Sequence, residues 1–159
     1  YDEDIIAIVN SGGLIGLSLD QRILGCGGSS AEYISKKEFV TSEYTEVKKP
    51  KDDRKIPATV STRKERKHLR HLCNNLIHII KVAGDKAWKH VCIGSDYDGL
   101  INAINGCKDS SEIKNLFSDM VDELPEIADS GGVPLNDVQG KLRDFLFNNG
   151  KSFLEKHFN

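Results

Sequence analysis

His90-Val-Cys-Ile-Gly-Ser-Asp-Tyr-Asp-Gly99 is the stretch on which the reading of the fold turns. Val91-Cys92-Ile93 is a short continuous apolar run, the pattern of a strand covered on both faces in a parallel sheet. The run is expected to stop on a carboxylate, Asp96, with a turn signal, Asp98-Gly99, directly behind it. Parallel α/β sheets present their chemistry at the carboxyl ends of the strands. Asp96 therefore stands where such an enzyme would place a working side chain.

Upstream, the pattern repeats in weaker form. Residues 2–10 read as a helix capped by Asp2 or Asp4, with Ile5, Ile6 and Val9 on its apolar side and Gly12-Gly13 ending it. Leu14-Ile-Gly-Leu-Ser-Leu19 follows as a mostly apolar strand that ends at Asp20. From Arg63 to Ala83 a helix is expected, because Leu69, Leu72, Cys73, Leu76, Ile79, Ile80 and Ala83 share one stripe at about 100° per residue. Asp109 with Glu112 announces another helix as a capping box. Its stripe is Ile113, Leu116, Phe117, Met120, Val121 and Leu124, and Pro125 is expected to end or kink it. Residues 135–148 and 150–158 read as one or two closing helices with Val138, Leu142, Phe145, Phe153 and Phe158 inward. Helix, strand, helix, strand is the order of a parallel α/β fold.

Residues 25–62 break that order. They are rich in Gly, Ser, Lys and Pro, lack periodicity, and separate the two strands by far more than the roughly 30 residues of one βα unit in an eight-unit barrel. They are expected to be a loop insertion after the first strand, a lid or subunit contact in one reading and a plain surface loop in the other.

The net charge of −2 points to no strongly charged partner, but the charge is unevenly spread. Ten of the 22 Lys and Arg residues fall between Lys48 and Arg70, leaving an acidic remainder. A Lys/Arg-dense segment suits phosphate contacts. Here it has no interleaved aromatics and no nucleic-acid motif, so a nucleic-acid partner is not expected. No membrane span or signal-peptide pattern occurs. Cys26, Cys73, Cys92 and Cys107 form no CxxC pair, which suits reduced thiols and a cytoplasmic setting. The opening Tyr1-Asp-Glu-Asp without Met suits a fragment or processed product.

Ile8-Val-Asn-Ser-Gly-Gly-Leu-Ile-Gly-Leu17 resembles the step into strand seven of the membrane (renal-type) dipeptidase family, peptidase family M19 of the amidohydrolase superfamily. Leu76 to Gly99, with Ile79-Ile80-Lys81-Val82-Ala83-Gly84 and the stretch quoted first, resembles the family's step into strand eight more closely. Phe145 to Phe158 is similar to its closing helices, although the family's Gly-Gly-Asn turn appears as Asn148-Asn149-Gly150. The resemblance implies an α/β chain forming the C-terminal portion, strands seven and eight with flanking helices, of a (β/α)8 TIM barrel. It further implies a metal-dependent hydrolase that cleaves dipeptide amide bonds by metal-activated hydroxide at a centre of two zinc ions.

Asp96 matches the family's strand-eight aspartate, implied to handle protons during hydrolysis. A carboxylate suits that role, since it can take a proton from the attacking water and return it to the leaving amine. The family's His-x-Asp, bridging Glu and later His ligands have no counterpart here and are implied to lie upstream. This chain is therefore expected to supply no metal ligand. The partners expected are a dipeptide or small amide substrate and either the rest of the barrel or another copy of the chain. The rival reading is a non-catalytic α/β fragment or assembly module.

Other candidates are weighed against plainer readings. Asp20 and Arg22 could reach the substrate side of the same rim, or form a structural ion pair. Ser95 lacks a nucleophile-elbow context. His71 and His78 lie two turns apart on the helix side opposite the Leu69–Ala83 stripe and cannot grip one zinc. His68 falls in a basic region expected to be exposed, and His90 is expected to pack or cap at the amino end of its strand. Gly12-Gly13 and the glycines at 25–28 do not make a phosphate loop.

Overall fold

The computed structural model describes residues 1–25, 63–97 and 102–158. The insertion expected at 25–62 lies outside the described residues apart from Gly25, as do Cys26, most of the basic stretch, and Asp98 and Gly99.

The described elements follow the expected order. Helix α1 spans Asp2–Asn10, strand β1 Ile15–Leu17, helix α2 Arg63–Ala83 and strand β2 Val91–Ile93. Then come α3 (Ile113–Ser130), α4 (Val138–Arg143) and α5 (Asn149–Phe158). The result is a helix-rich mixed α/β unit with few strands.

The two strands pair in parallel, with Ile15 opposite Val91, Gly16 opposite Cys92 and Leu17 opposite Ile93. β1 is shorter than the Leu14–Leu19 run that announces it, whereas β2 coincides with its apolar run and stops before Asp96, where the strand was expected to end. Ile15, Leu17, Val91 and Ile93 turn toward the helices, where Val91 is fully buried and the others pack against the core. Gly16, Cys92 and Gly94 take the opposite face by alternation. Gly94 has a steric reason to be glycine: a Cβ there would sit 3.2 Å from the Gly16 backbone.

α2 is the centre of the core. Leu69, Leu72, Cys73, Leu76, Ile79 and Ile80 are buried as a stripe, facing Leu116, Met120, Leu124, Ile127 and Ala128 of α3. Arg70 ties the two helices from the side, pairing with Glu123 and, at 3.2 Å, with Glu126. Gly84, at φ 78°, ends α2. A 3-10 turn at Asp85–Lys89, with Ala87 and Trp88 buried, then carries the chain into β2.

Ile6 of α1 is 42% exposed rather than inward. Pro125 does not end α3; the helix runs on to Ser130 because Ile127 and Ala128 bury on the same stripe. The capping box before α3 is offset: Asp109 accepts from the Ser111 amide at 2.8 Å, while Glu112 accepts from Lys108 N at 2.6 Å. The closing helices form one continuous run in which a π-helical turn, Asp144–Asn148, joins α4 to α5. Leu142 and Phe145 are buried as expected, but Phe158 is turned outward. The π turn brings Asn149 against β2, where its one amide donates to Trp88 O at 2.7 Å and Val91 O at 2.8 Å.

Candidate functional site at the carboxyl end of the parallel pair

The register places the sequence candidates. Leu17 lies opposite Ile93. Three residues beyond these partners the chain reaches Asp20 on one side and Asp96 on the other, at the same end of the sheet. The two carboxylates differ in every other respect.

Asp20 is 1% exposed. It sits in an antiparallel bridge with Ala103, so the segment after β2 folds back along the segment after β1. Ile104 N donates to Leu19 O, Gln21 N to Asn102 O, and Gln21 Nε2 to Ala103 O at 2.7 Å. The Asp20 carboxylate accepts from the Arg22 main-chain amide at 2.8 Å and from Arg22 Nε at 3.0 Å, with Nη2 as a further donor. These donors, Arg22's side chain foremost, hold the carboxyl below the usual carboxylate range against the opposing effect of burial. An anion kept this stable is a poor proton acceptor. Its visible work is to fix Arg22, whose side chain is 64% exposed.

Asp96 is exposed and lies beyond the strand, which stops at Ile93. Its backbone takes the left-handed conformation, φ 56°. Non-glycine residues adopt that region infrequently, and Asp is among those that tolerate it best. Next to it, Tyr97 anchors the turn, its hydroxyl meeting Cys107 Sγ at 2.9 Å and Cys107 O at 3.3 Å. Burial raises both the Tyr97 phenol and the Cys107 thiol above their ordinary values, so both stay neutral near pH 7. Tyr97 gave no signal in the sequence as an anchor, because its partner lies ten residues on in a segment without periodicity.

The histidines stay away from this rim as a metal group. His68, expected to be exposed, is 3% exposed and accepts the Asn105 amide on Nδ1 at 3.3 Å, pinning the same returning segment. Burial, helped by the Lys67 charge, lowers His71. His78 meets Asp2 at 2.8 Å, and His90 Nδ1 meets Gly13 O at 2.8 Å at the amino end of β2, as its position suggested. Among the described residues no three His, Cys, Asp or Glu side chains gather to hold a metal ion. The described residues therefore do not make a site for the zinc ions that the resemblance implies. No helix among them is long and apolar enough to cross a membrane.

A parallel βα pair with carboxylates beyond both strand ends is the arrangement of an α/β enzyme rim. Its family can be stated: residues 1–132 match the model of the membrane dipeptidases, peptidase family M19, and the chain belongs to that family. It is 39% identical over 49 residues to an uncharacterized dipeptidase of Schizosaccharomyces pombe, a match covering 31% of this chain. That aligned stretch spans 11% of the length of the relative. No solved structure matches the chain.

Proposed function

We propose that the chain is the C-terminal portion of a (β/α)8 barrel in a dipeptidase-like hydrolase, with residues 1–159 belonging to one domain and 25–62 inserted within it. One observation supports the reading: in a family of dipeptidases, Asp96 lies beyond the carboxyl end of the parallel pair, exposed and without an ion pair among the described residues. In this role the Asp96 carboxylate takes a proton from the water attacking the amide carbonyl and delivers it to the leaving nitrogen. Asp20, held as an anion, positions Arg22 on the same rim as a counter-charge on the substrate side. The zinc centre would be held by polypeptide outside the described residues, which supply no cluster for it. A cytoplasmic setting belongs to the same proposal and suits the free thiols of Cys73, Cys92 and Cys107.

The test is Asp96→Asn in the complete enzyme, assayed on dipeptides. Turnover should fall by about 10²–10⁴-fold, the usual worth of a positioned acid–base group. Metal content and thermal midpoint should hold. Unchanged turnover would refute the assignment. The rival reading, an assembly module without catalysis, draws on the two-stranded sheet, whose outer edges carry no further strand among the described residues. Full activity of the complete protein on dipeptides would remove it.

A further inference from the structure

Strand β2 stops at Ile93, short of Asp96, and Gly94 N to Leu17 O, at 2.8 Å, carries its pairing with β1 just past that point. Asp96 then takes φ 56°, a region in which a non-glycine residue persists only where its surroundings hold it. Its side chain is exposed, so the turn beneath it, and not packing, aims the carboxylate. Tyr97 is the next residue. Its ring packs against the core, and its hydroxyl reaches Cys107 twice, at 2.9 Å on Sγ and at 3.3 Å on the main-chain O. Cys107 is fully buried, and its amide donates to Ile104 O at 3.1 Å. Ile104 N in turn donates to Leu19 O, Ala103 bridges Asp20, and Asn105 N donates to His68 Nδ1 of α2. The hook at 103–107 is thus fastened to the exit of β1, to α2 and, by the Tyr97 hydroxyl, to the exit of β2.

We infer that Tyr97 is a positioning residue for Asp96: its hydroxyl, bonded to the hook through Cys107, sets the turn that presents the Asp96 carboxylate and fixes it relative to Asp20 and Arg22. This rests on the reading of Asp96 as the proton carrier and names the residue that sets its geometry. A phenyl ring in place of Tyr97 fills the same space and packs on the same core, but it leaves the exit of β2 unfastened. The carboxylate is then free to wander. An acid–base group must lie within about 2.6–3.2 Å of the proton that it takes. A misplacement of about 1 Å can cost roughly 10²-fold in rate, so one hydroxyl in the turn has leverage on turnover without touching a reacting atom.

Tyr97→Phe in the complete enzyme, assayed on dipeptides beside Asp96→Asn and the double variant, tests this. In Tyr97→Phe, kcat should fall at least about fivefold while KM stays within about twofold and metal content holds, because aim is lost and binding is not. Asn tolerates the left-handed region as Asp does, so Asp96→Asn keeps the turn and removes only the group being aimed. In that background Tyr97→Phe should cost less than about twofold, since no carboxylate is left to position. A single variant whose kcat stays within about fivefold of wild type overturns the inference and leaves the role of Asp96 standing. An equal loss in both backgrounds overturns it too, because a residue that only supports the fold lowers both by the same factor. Unchanged turnover in Asp96→Asn removes the proton-carrier reading and this inference together.

Discussion

Two aspartates three residues beyond paired strand positions meet opposite environments, one buried and one exposed. Asp20 is buried under donors from Arg22, and its carboxyl is held below the ordinary 3.8. A carboxyl depressed in the folded state contributes stability above its unfolded pKa, and that contribution fades as pH falls through the folded value. Asp20→Asn should therefore lower the thermal midpoint at pH 7. The gap between wild type and variant should shrink as melts are taken below the usual carboxylate range. A gap that stays constant down to pH 2 would show that Asp20 is not held as an anion. The sequence could name Asp20, Arg22 and Asp96, because strand ends and turn signals are local. It could not separate buried from exposed, because that depends on the 102–104 segment folding back over Asp20. His68 shows the same limit: its neighbours in sequence are basic, yet it is buried and accepts the amide of the distant Asn105.

Among the elements, α1 and α2 keep the limits that the sequence predicts, and α2 buries six of the seven residues of its expected stripe, with Ala83 half-buried and His68 and Ile77 buried besides. A long helix with one apolar face repeats its signal over several turns. The apolar run at 14–19 continues past the point where the β1 ladder stops, while β2 ends with its apolar run at Ile93 and leaves the polar Gly94-Ser95-Asp96 outside the strand. Phe158 lies five residues past Phe153 in the same helix, about 140° round it, so the two cannot share one inward face, and Phe158 is the one turned outward. α3 shows the opposite case, a local breaker overruled by packing. Pro125 is exposed, yet burial of Ile127 and Ala128 carries the helix past it. Pro125 has no amide proton to donate within the helix. Pro125→Ala should restore a donor and remove the ring's steric conflict, stabilising the chain by about 1–3 kcal/mol in urea denaturation. An unchanged or lower midpoint would mean that the surrounding helix depends on the proline's geometry.

For the molecule as a whole, the deciding question is what lies beside the two strands. Ile15 N donates to His90 O, and Gly94 N donates to Leu17 O. Strand alternation therefore turns the main-chain groups of residues 90, 92 and 94 toward β1, and those of 91 and 93 away from it. Asn149 occupies the outward carbonyl of Val91, which leaves Ile93 as the first outward position open to a further strand. On β1, Gly16 points outward in the same way. A barrel closes by pairing both edges, so the amides of Gly16 and Ile93 are where the proposed architecture is most exposed to refutation. In hydrogen exchange on the complete protein, both should be protected about as strongly as the ladder amides of Leu17 and Cys92. Backbone donors left on an open edge exchange through small local openings, whereas donors inside a closed sheet wait for larger ones. Exchange at Gly16 and Ile93 at loop-like rates, with Leu17 and Cys92 still protected, would mean that the sheet stops at two strands. Asp96 would then face solvent beyond a short ribbon instead of the mouth of a ring.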